Sequence, residues 1–213
     1  MSVIVPTVLT DNVQEYQALM QLYATFTSRI QIDITDASFA PNATVTLEQI
    51  GWPSNIDVDL HMMVRRPSAY LELIIERRPS LVIFHAESDE DLLPSFAELK
   101  TAGIRSGVAF LGPTFPGNYR PYLDAAEHAL IFAGKLGENG GTANMLQAEK
   151  VHMIKNLNTK LEVGWDGGAR MDNVFMLTKA GVNVISVGGA LRTEDPAATF
   201  KALGKEANRE GAI

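Results

Sequence analysis

The chain has no cysteine among its 213 residues, which excludes disulfides and thiolate-held metal sites. Any metal would have to use imidazole, carboxylate or amide ligands. Basic residues are outnumbered, with 18 Lys and Arg against 25 Asp and Glu and a formal net charge of −7. Nucleic-acid binders usually present a basic face, so no nucleic-acid partner is expected. An anionic small molecule remains accessible, because backbone N–H groups bind phosphate even on an acidic protein. No apolar run reaches the roughly 18 residues of a membrane span. The opening Met1-Ser2-Val3-Ile4-Val5-Pro6 lacks the basic segment and long apolar run of a signal peptide. These absences predict a cytoplasmic protein with no membrane partner. What is present is ordinary for a globular chain, 46% hydrophobic and 20% charged, and the length suits a single domain over residues 1–213.

Short β-rich runs alternate with segments of helical period. The runs fall at 3–9, 30–35, 56–64, 81–85, 107–111, 129–133, 161–165 and 182–187. Between them, Val13, Tyr16, Leu19, Met20 and Tyr23 recur at helix spacing within 12–26, and Val174 and Leu177 repeat the pattern within 171–180. Asp195-Pro196 reads as an N-cap with proline at the first helical position. Strands alternating with helices imply a parallel sheet. Eight units in this length predict a closed (β/α)8 TIM barrel; the competing architecture is an open doubly wound sheet.

Neighbouring residues on a strand face opposite sides. In the second run Gln31, Asp33 and Thr35 therefore oppose Ile30, Ile32 and Ile34; in the third, Asp57, Asp59 and His61 oppose Ile56, Val58, Leu60 and Met62. In the seventh, Glu162, Gly164 and Asp166 oppose Leu161, Val163 and Trp165. Three strands thus aim polar groups at one interior, near the strand ends where barrel enzymes place their chemistry. Buried charges are costly unless paired, hydrogen-bonded or metal-bound, so Asp33, His61 and Asp166 are candidates for one site. The plain alternative is a structural network, since Asp at a strand end also caps the following helix.

The stretch Ile32-Asp33-Ile34-Thr35-Asp36-Ala37-Ser38-Phe39-Ala40-Pro41-Asn42 resembles the Asp-x-Met-Asp-Gly-His-Phe-x-Pro-Asn signature of the ribulose-phosphate 3-epimerases. Val58-Asp59-Leu60-His61-Met62-Met63 is similar to that family's third-strand Asp-x-His-Leu-Met, and Pro6-Thr7-Val8-Leu9-Thr10 to its Pro-Ser-Ile-Leu-Ser. Phe84-His85-Ala86-Glu87 resembles Val-His-x-Glu, and Val163-Gly164-Trp165-Asp166-Gly167-Gly168 resembles Val-Asp-Gly-Gly with two residues inserted. The matches run in order along nearly the whole chain.

The resemblance implies a phosphate-binding barrel, an isomerase of carbohydrate and pentose phosphate metabolism, and a phosphorylated sugar as its partner. Two carboxyls on opposite faces of a ketose phosphate such as ribulose 5-phosphate would invert C3 through an enediolate, with Asp33 and Asp166 in those roles. It also implies a divalent cation, with zinc, iron, manganese or cobalt as candidates, and a homo-oligomer. Asp33, His61 and Asp166 match three of the family's metal ligands, but Gln31 stands where the fourth, a histidine, is expected. An amide oxygen is a weaker ligand than imidazole for zinc-like ions.

Thr7 and His61 are expected to touch substrate. Gly167-Gly168 and Gly188-Gly189 follow the seventh and eighth runs, where barrels commonly build a phosphate site from backbone N–H groups; a tight turn alone would also explain each pair. The family has Gly-Ser where this chain has Gly188-Gly189. In Lys135-Leu136-Gly137-Glu138-Asn139-Gly140-Gly141-Thr142, Gly140-Gly141 match the family's mobile lid, and Glu138 would oppose a phosphate unless turned away. Thr35 replaces a cavity-wall methionine, and Ala37 and Ser38 replace Gly-His. His85 either lines the cavity or satisfies a local hydrogen bond, while His128 and His152 are expected to be structural or exposed. Two other functions remain open: a metal-dependent lyase or decarboxylase on a related barrel, disfavoured because no lysine follows Asp33, and a non-catalytic barrel that binds a phosphorylated ligand.

Overall fold

The computed structural model describes residues 1–138 and 140–211. Eight strands run β1 Val3–Val8, β2 Arg29–Thr35, β3 Asp57–Met63, β4 Leu81–His85, β5 Arg105–Phe110, β6 His128–Phe132, β7 Glu162–Asp166 and β8 Val184–Val187. All neighbours pair in parallel, and β1 pairs β8, so the sheet closes in the order β1 to β8 and the open-sheet alternative is set aside.

Seven α-helices are described: α1 Val13–Tyr23, α2 Leu71–Arg77, α3 Leu93–Thr101, α4 Arg120–Ala125, α5 Glu149–Leu157, α6 Val174–Ala180 and α7 Pro196–Ala207. Asn12 caps α1 by accepting from Glu15 N, and Asp195 caps α7 by accepting from Ala198 N, each at 2.9 Å. The helix expected across 171–180 starts only at Val174, because residues 171–173 form a turn in which Asn173 Oδ1 accepts from Arg170 N at 2.8 Å. The β2–β3 connection, residues 36–56, carries turns and bends in place of an α-helix.

The strand parity holds. Ile30, Ile32, Val58, Leu60, Val163 and Trp165 are buried in the layer between barrel and helices. The opposite faces fill the barrel in tiers. Leu81, Ile83, Ala109 and Leu130 form a small apolar cluster in the middle. Below it, Arg29 Nε donates to Asp59 Oδ2 at 2.8 Å, and His128 Nδ1 lies 2.9 Å from Glu162 Oε2. His128 is thus an interior residue of β6, structural and buried, while His152 is exposed on α5.

Candidate active site

Above the apolar tier lies the cluster of Asp33, His61 and Asp166. Asp33 pairs with His61 directly across the β2–β3 register, which fixes their side chains on the same face. His61 Nδ1 stands 3.0 Å from Asp33 Oδ1 and 3.3 Å from Asp166 Oδ2. One ligand atom from each of the three lies within 4.8 Å of the other two, so the group could hold a metal ion.

Gln31, one strand step below Asp33, faces the same pair. Its Nε2 donates to Asp33 Oδ1 at 2.8 Å and to Asp166 Oδ2 at 2.7 Å. Ser186 Oγ donates to Gln31 Oε1 at 2.7 Å. The same oxygen of each carboxylate receives both Gln31 and His61, which leaves the second oxygen of each available to a bound molecule. The position resembling a metal ligand therefore presents a hydrogen-bond donor.

His61 Nε2 lies 2.9 Å from His85 Nε2, and His85 Nδ1 lies 3.3 Å from Glu87 Oε2. Glu87 Oε1 in turn accepts from Leu111 N at 2.8 Å. With His85 donating to Glu87, its Nε2 is the acceptor and His61 Nε2 the donor, so Nδ1 can donate to the two carboxylates as well only when His61 is the imidazolium, protonated on both ring nitrogens. Phe39 packs on His85 and Phe132 on His61, with ring centroids 4.7 and 5.8 Å apart. Sequence reading left His85 undecided between cavity and local bond; it is fully buried and serves the hydrogen-bond chain.

Burial, then the charge of Asp166, pushes the Asp33 carboxyl above its ordinary range, against the hydrogen bonds from His61 and Gln31. Burial opposes a charge on His61, but hydrogen bonds to Asp166 and Asp33 outweigh it and raise the imidazole to about 9. Burial pushes His85 down to about 4 despite its Glu87 contact.

The two aspartates floor a cavity of about 460 Å³, a size suited to a small metabolite. Thr7, Gly140, Gly141, Gly167, Gly168, Gly188 and Gly189 all line it. His61, expected to touch substrate, is covered and lies beneath this floor. Thr35 is likewise buried away from the cavity wall, where Met63 stands; its Oγ1 accepts from Ala37 N at 3.3 Å.

Gly167 and Gly168 adopt φ of 114° and 66°, and a Cβ would come within 2.1 Å of Gly134 N and 2.2 Å of Ala143 N respectively. They are glycines because the β7 loop presses on the backbone that follows β6. Lys135, Arg170 and Arg192 also line the cavity. Arg170 Nη2 donates to Gly141 O in the loop after β6, and Glu138 pairs with Lys135 at 3.7 Å. Asn139 lies outside the described residues. The sequence reading missed the arginines, although each follows a Gly-Gly-Ala stretch: Gly167-Gly168-Ala169-Arg170 and Gly188-Gly189-Ala190-Leu191-Arg192.

Comparison with known proteins gives a consistent answer. The Ribulose-phosphate 3 epimerase family matches residues 3–192. A ribulose-phosphate 3-epimerase of Helicobacter pylori (strain J99) is 28% identical over 166 residues, covering 75% of this chain and 76% of the relative. One from Mycobacterium leprae is 28% identical over 189 residues, covering 84% and 83%. Among solved structures, 3-hexulose-6-phosphate synthase from Salmonella typhimurium superposes with a TM-score of 0.72 at 14% identity, over 97% of this chain and 98% of that one. At that identity the likeness speaks for the fold alone.

Proposed function

The chain belongs to the ribulose-phosphate 3-epimerase family, and from that premise we propose that it inverts C3 of a ketose phosphate such as ribulose 5-phosphate, with Asp33 and Asp166 as the acid/base pair. The observation that carries the assignment of roles is their shared tether. Two aspartates from β2 and β7 are held by the same two donors, Gln31 and His61, with both carboxylates reaching one cavity.

A two-base inversion needs one ionised and one protonated carboxyl at the start. Burial and the neighbouring charge favour a proton on Asp33, so Asp166 removes the C3 proton in one direction while Asp33 delivers its own to the opposite face. The roles reverse for the return reaction. Positioned groups of this kind are typically worth about 10² to 10⁴ in rate. Beneath them, His61 and Gln31 supply positive charge and N–H dipoles that moderate the enediolate's negative charge.

Asp33, His61 and Asp166 are the residues that would hold a divalent cation. Such an ion, when bound, would stabilise the enediolate oxygens as a Lewis acid. The glycine loops after β6, β7 and β8, with Arg170 and Arg192, form the rim that would take the phosphate.

Incubation with ribulose 5-phosphate in D2O tests the proposal. Deuterium at C3 together with the epimeric product is expected, lost in both Asp33→Asn and Asp166→Asn. Full exchange in either variant removes that residue from the mechanism. Cleavage products in place of an epimer would make the protein a lyase, and binding without turnover a ligand-binding barrel.

A further inference from the structure

We propose that Gln31, latched by Ser186, takes the bridging place between the two acid/base carboxylates, so that their proton transfer does not depend on a tightly bound divalent cation. The catalytic part of this rests on the roles assigned to Asp33 and Asp166 above.

The direction of the amide is set by its surroundings. Reversing it would put Oε1 at 2.7 to 2.8 Å from two carboxylate oxygens, three acceptors with no proton between them, since the proton assigned to Asp33 belongs on the oxygen that faces the cavity. The Ser186 hydroxyl can donate or accept, so the carboxylates decide the orientation and Ser186 secures it. Gln31 and Ser186 are almost fully buried, and the Gln31 backbone is registered against Thr7 on β1 and Asp59 on β3. The side chain therefore cannot swing away into solvent.

The consequence for a cation is direct competition. Asp33 Oδ1 and Asp166 Oδ2 are the oxygens nearest His61 Nδ1, and both already accept from Gln31. An ion seated on Asp33 Oδ1, Asp166 Oδ2 and His61 Nδ1 would forfeit two N–H···O bonds to carboxylates, which are stronger than neutral ones. It would gain at best an amide oxygen in return. Gln31 thus acts as a positioning residue: it holds one oxygen of each aspartate and leaves the other facing the cavity.

The test combines calorimetric titration of the chelator-treated full chain with Zn2+ and Mn2+ and solvent-deuterium exchange on ribulose 5-phosphate. Chelated wild type is expected to keep its exchange rate. Gln31→His should bind Zn2+ about ten- to a hundredfold more tightly, lose exchange when chelated and regain it with metal. Ser186→Ala, which unlatches the amide, should also bind the ions more tightly than wild type, and it stands in for Gln31→His if that variant does not fold. The proposal is overturned if chelation abolishes wild-type exchange and metal restores it, or if folded Gln31→His, or Ser186→Ala in its stead, gains no affinity. Absence of exchange in wild type under every metal condition would sink both the epimerase reading and the catalytic half of this one; calorimetry would still decide whether Gln31 keeps cations out.

Discussion

Arg29 and Glu162, 133 residues apart in the chain, meet end-on at the bottom of the barrel, with Nη1–Oε1 at 3.0 Å and Nη2–Oε2 at 2.9 Å. The same carboxylate faces His128 Nδ1 at 2.9 Å and accepts from Arg105 at 3.0 Å. Asp59 Oδ1 and His128 Nε2 are buried there with no hydrogen-bond partner among the described residues. This lower tier is polar, and Glu162 joins four strands through it.

Glu162→Gln is therefore expected to destabilise the fold by about 2 kcal/mol, between the values for exposed and fully buried pairs. Although burial opposes it, hydrogen bonds from His128 and Arg29 hold this carboxyl far below its ordinary value of 4.5. A depressed carboxyl contributes stability that is fully present above the unfolded value and is lost as pH falls below it. Denaturation at a series of pH values should show the wild-type advantage shrinking below pH 4.5. An advantage constant down to pH 2 would contradict the assignment.

Asp33→Asn should separate activity from stability. Its carboxyl is pushed up from 3.8, so the wild-type group costs stability as pH rises past that value. The Asn variant is expected to melt no lower than wild type at pH 8 while exchange falls by about 10² to 10⁴. A large loss of melting temperature would mark Asp33 as a structural residue.

Gly168→Ala places a Cβ at 2.2 Å from Ala143 N and a non-glycine residue at φ 66°. Backbone strain of this kind costs about 1 to 3 kcal/mol. The β6 and β7 loops must part to relieve it, and KM for the sugar phosphate should rise more than kcat falls. An unchanged KM would show that these loops do not hold the phosphate.

Arg170→Ala and Arg192→Ala remove cations from the rim. Each should weaken phosphate competition by about tenfold, the size of one charge-assisted hydrogen bond, and flatten the dependence of KM on salt. Each has one further contact to allow for, Arg170 with Gly141 O and Arg192 with Glu15 Oε1 at 3.5 Å. No change in either variant would assign phosphate capture to the backbone alone.

Much of the site was legible because a strand's alternation is carried by its own residues. Asp33, His61 and Asp166 share the interior face for the same reason that Ile32, Leu60 and Trp165 share the outer one. The motif order added the glycine rim. His85 was harder: its partner His61 lies on the neighbouring strand, and nothing local says whether the ring meets solvent, substrate or another ring. Thr35 does not line the cavity because the loop after β2 covers it, and Thr44 Oγ1 in that loop accepts from Thr35 N at 3.0 Å.

By itself the sequence determined eight strands, their inner and outer faces and three polar groups at one end of a barrel, since backbone geometry imposes a period of two wherever a strand forms. Only the closed tertiary structure decided what Gln31 does. Its partners Asp166 and Ser186 are 135 and 155 residues away, and the direction of an amide is set by the acceptors around it. Closure of the barrel likewise brought Arg170 and Arg192 to one rim, because the register between distant strands is fixed by packing and not by any residue's neighbours in the chain.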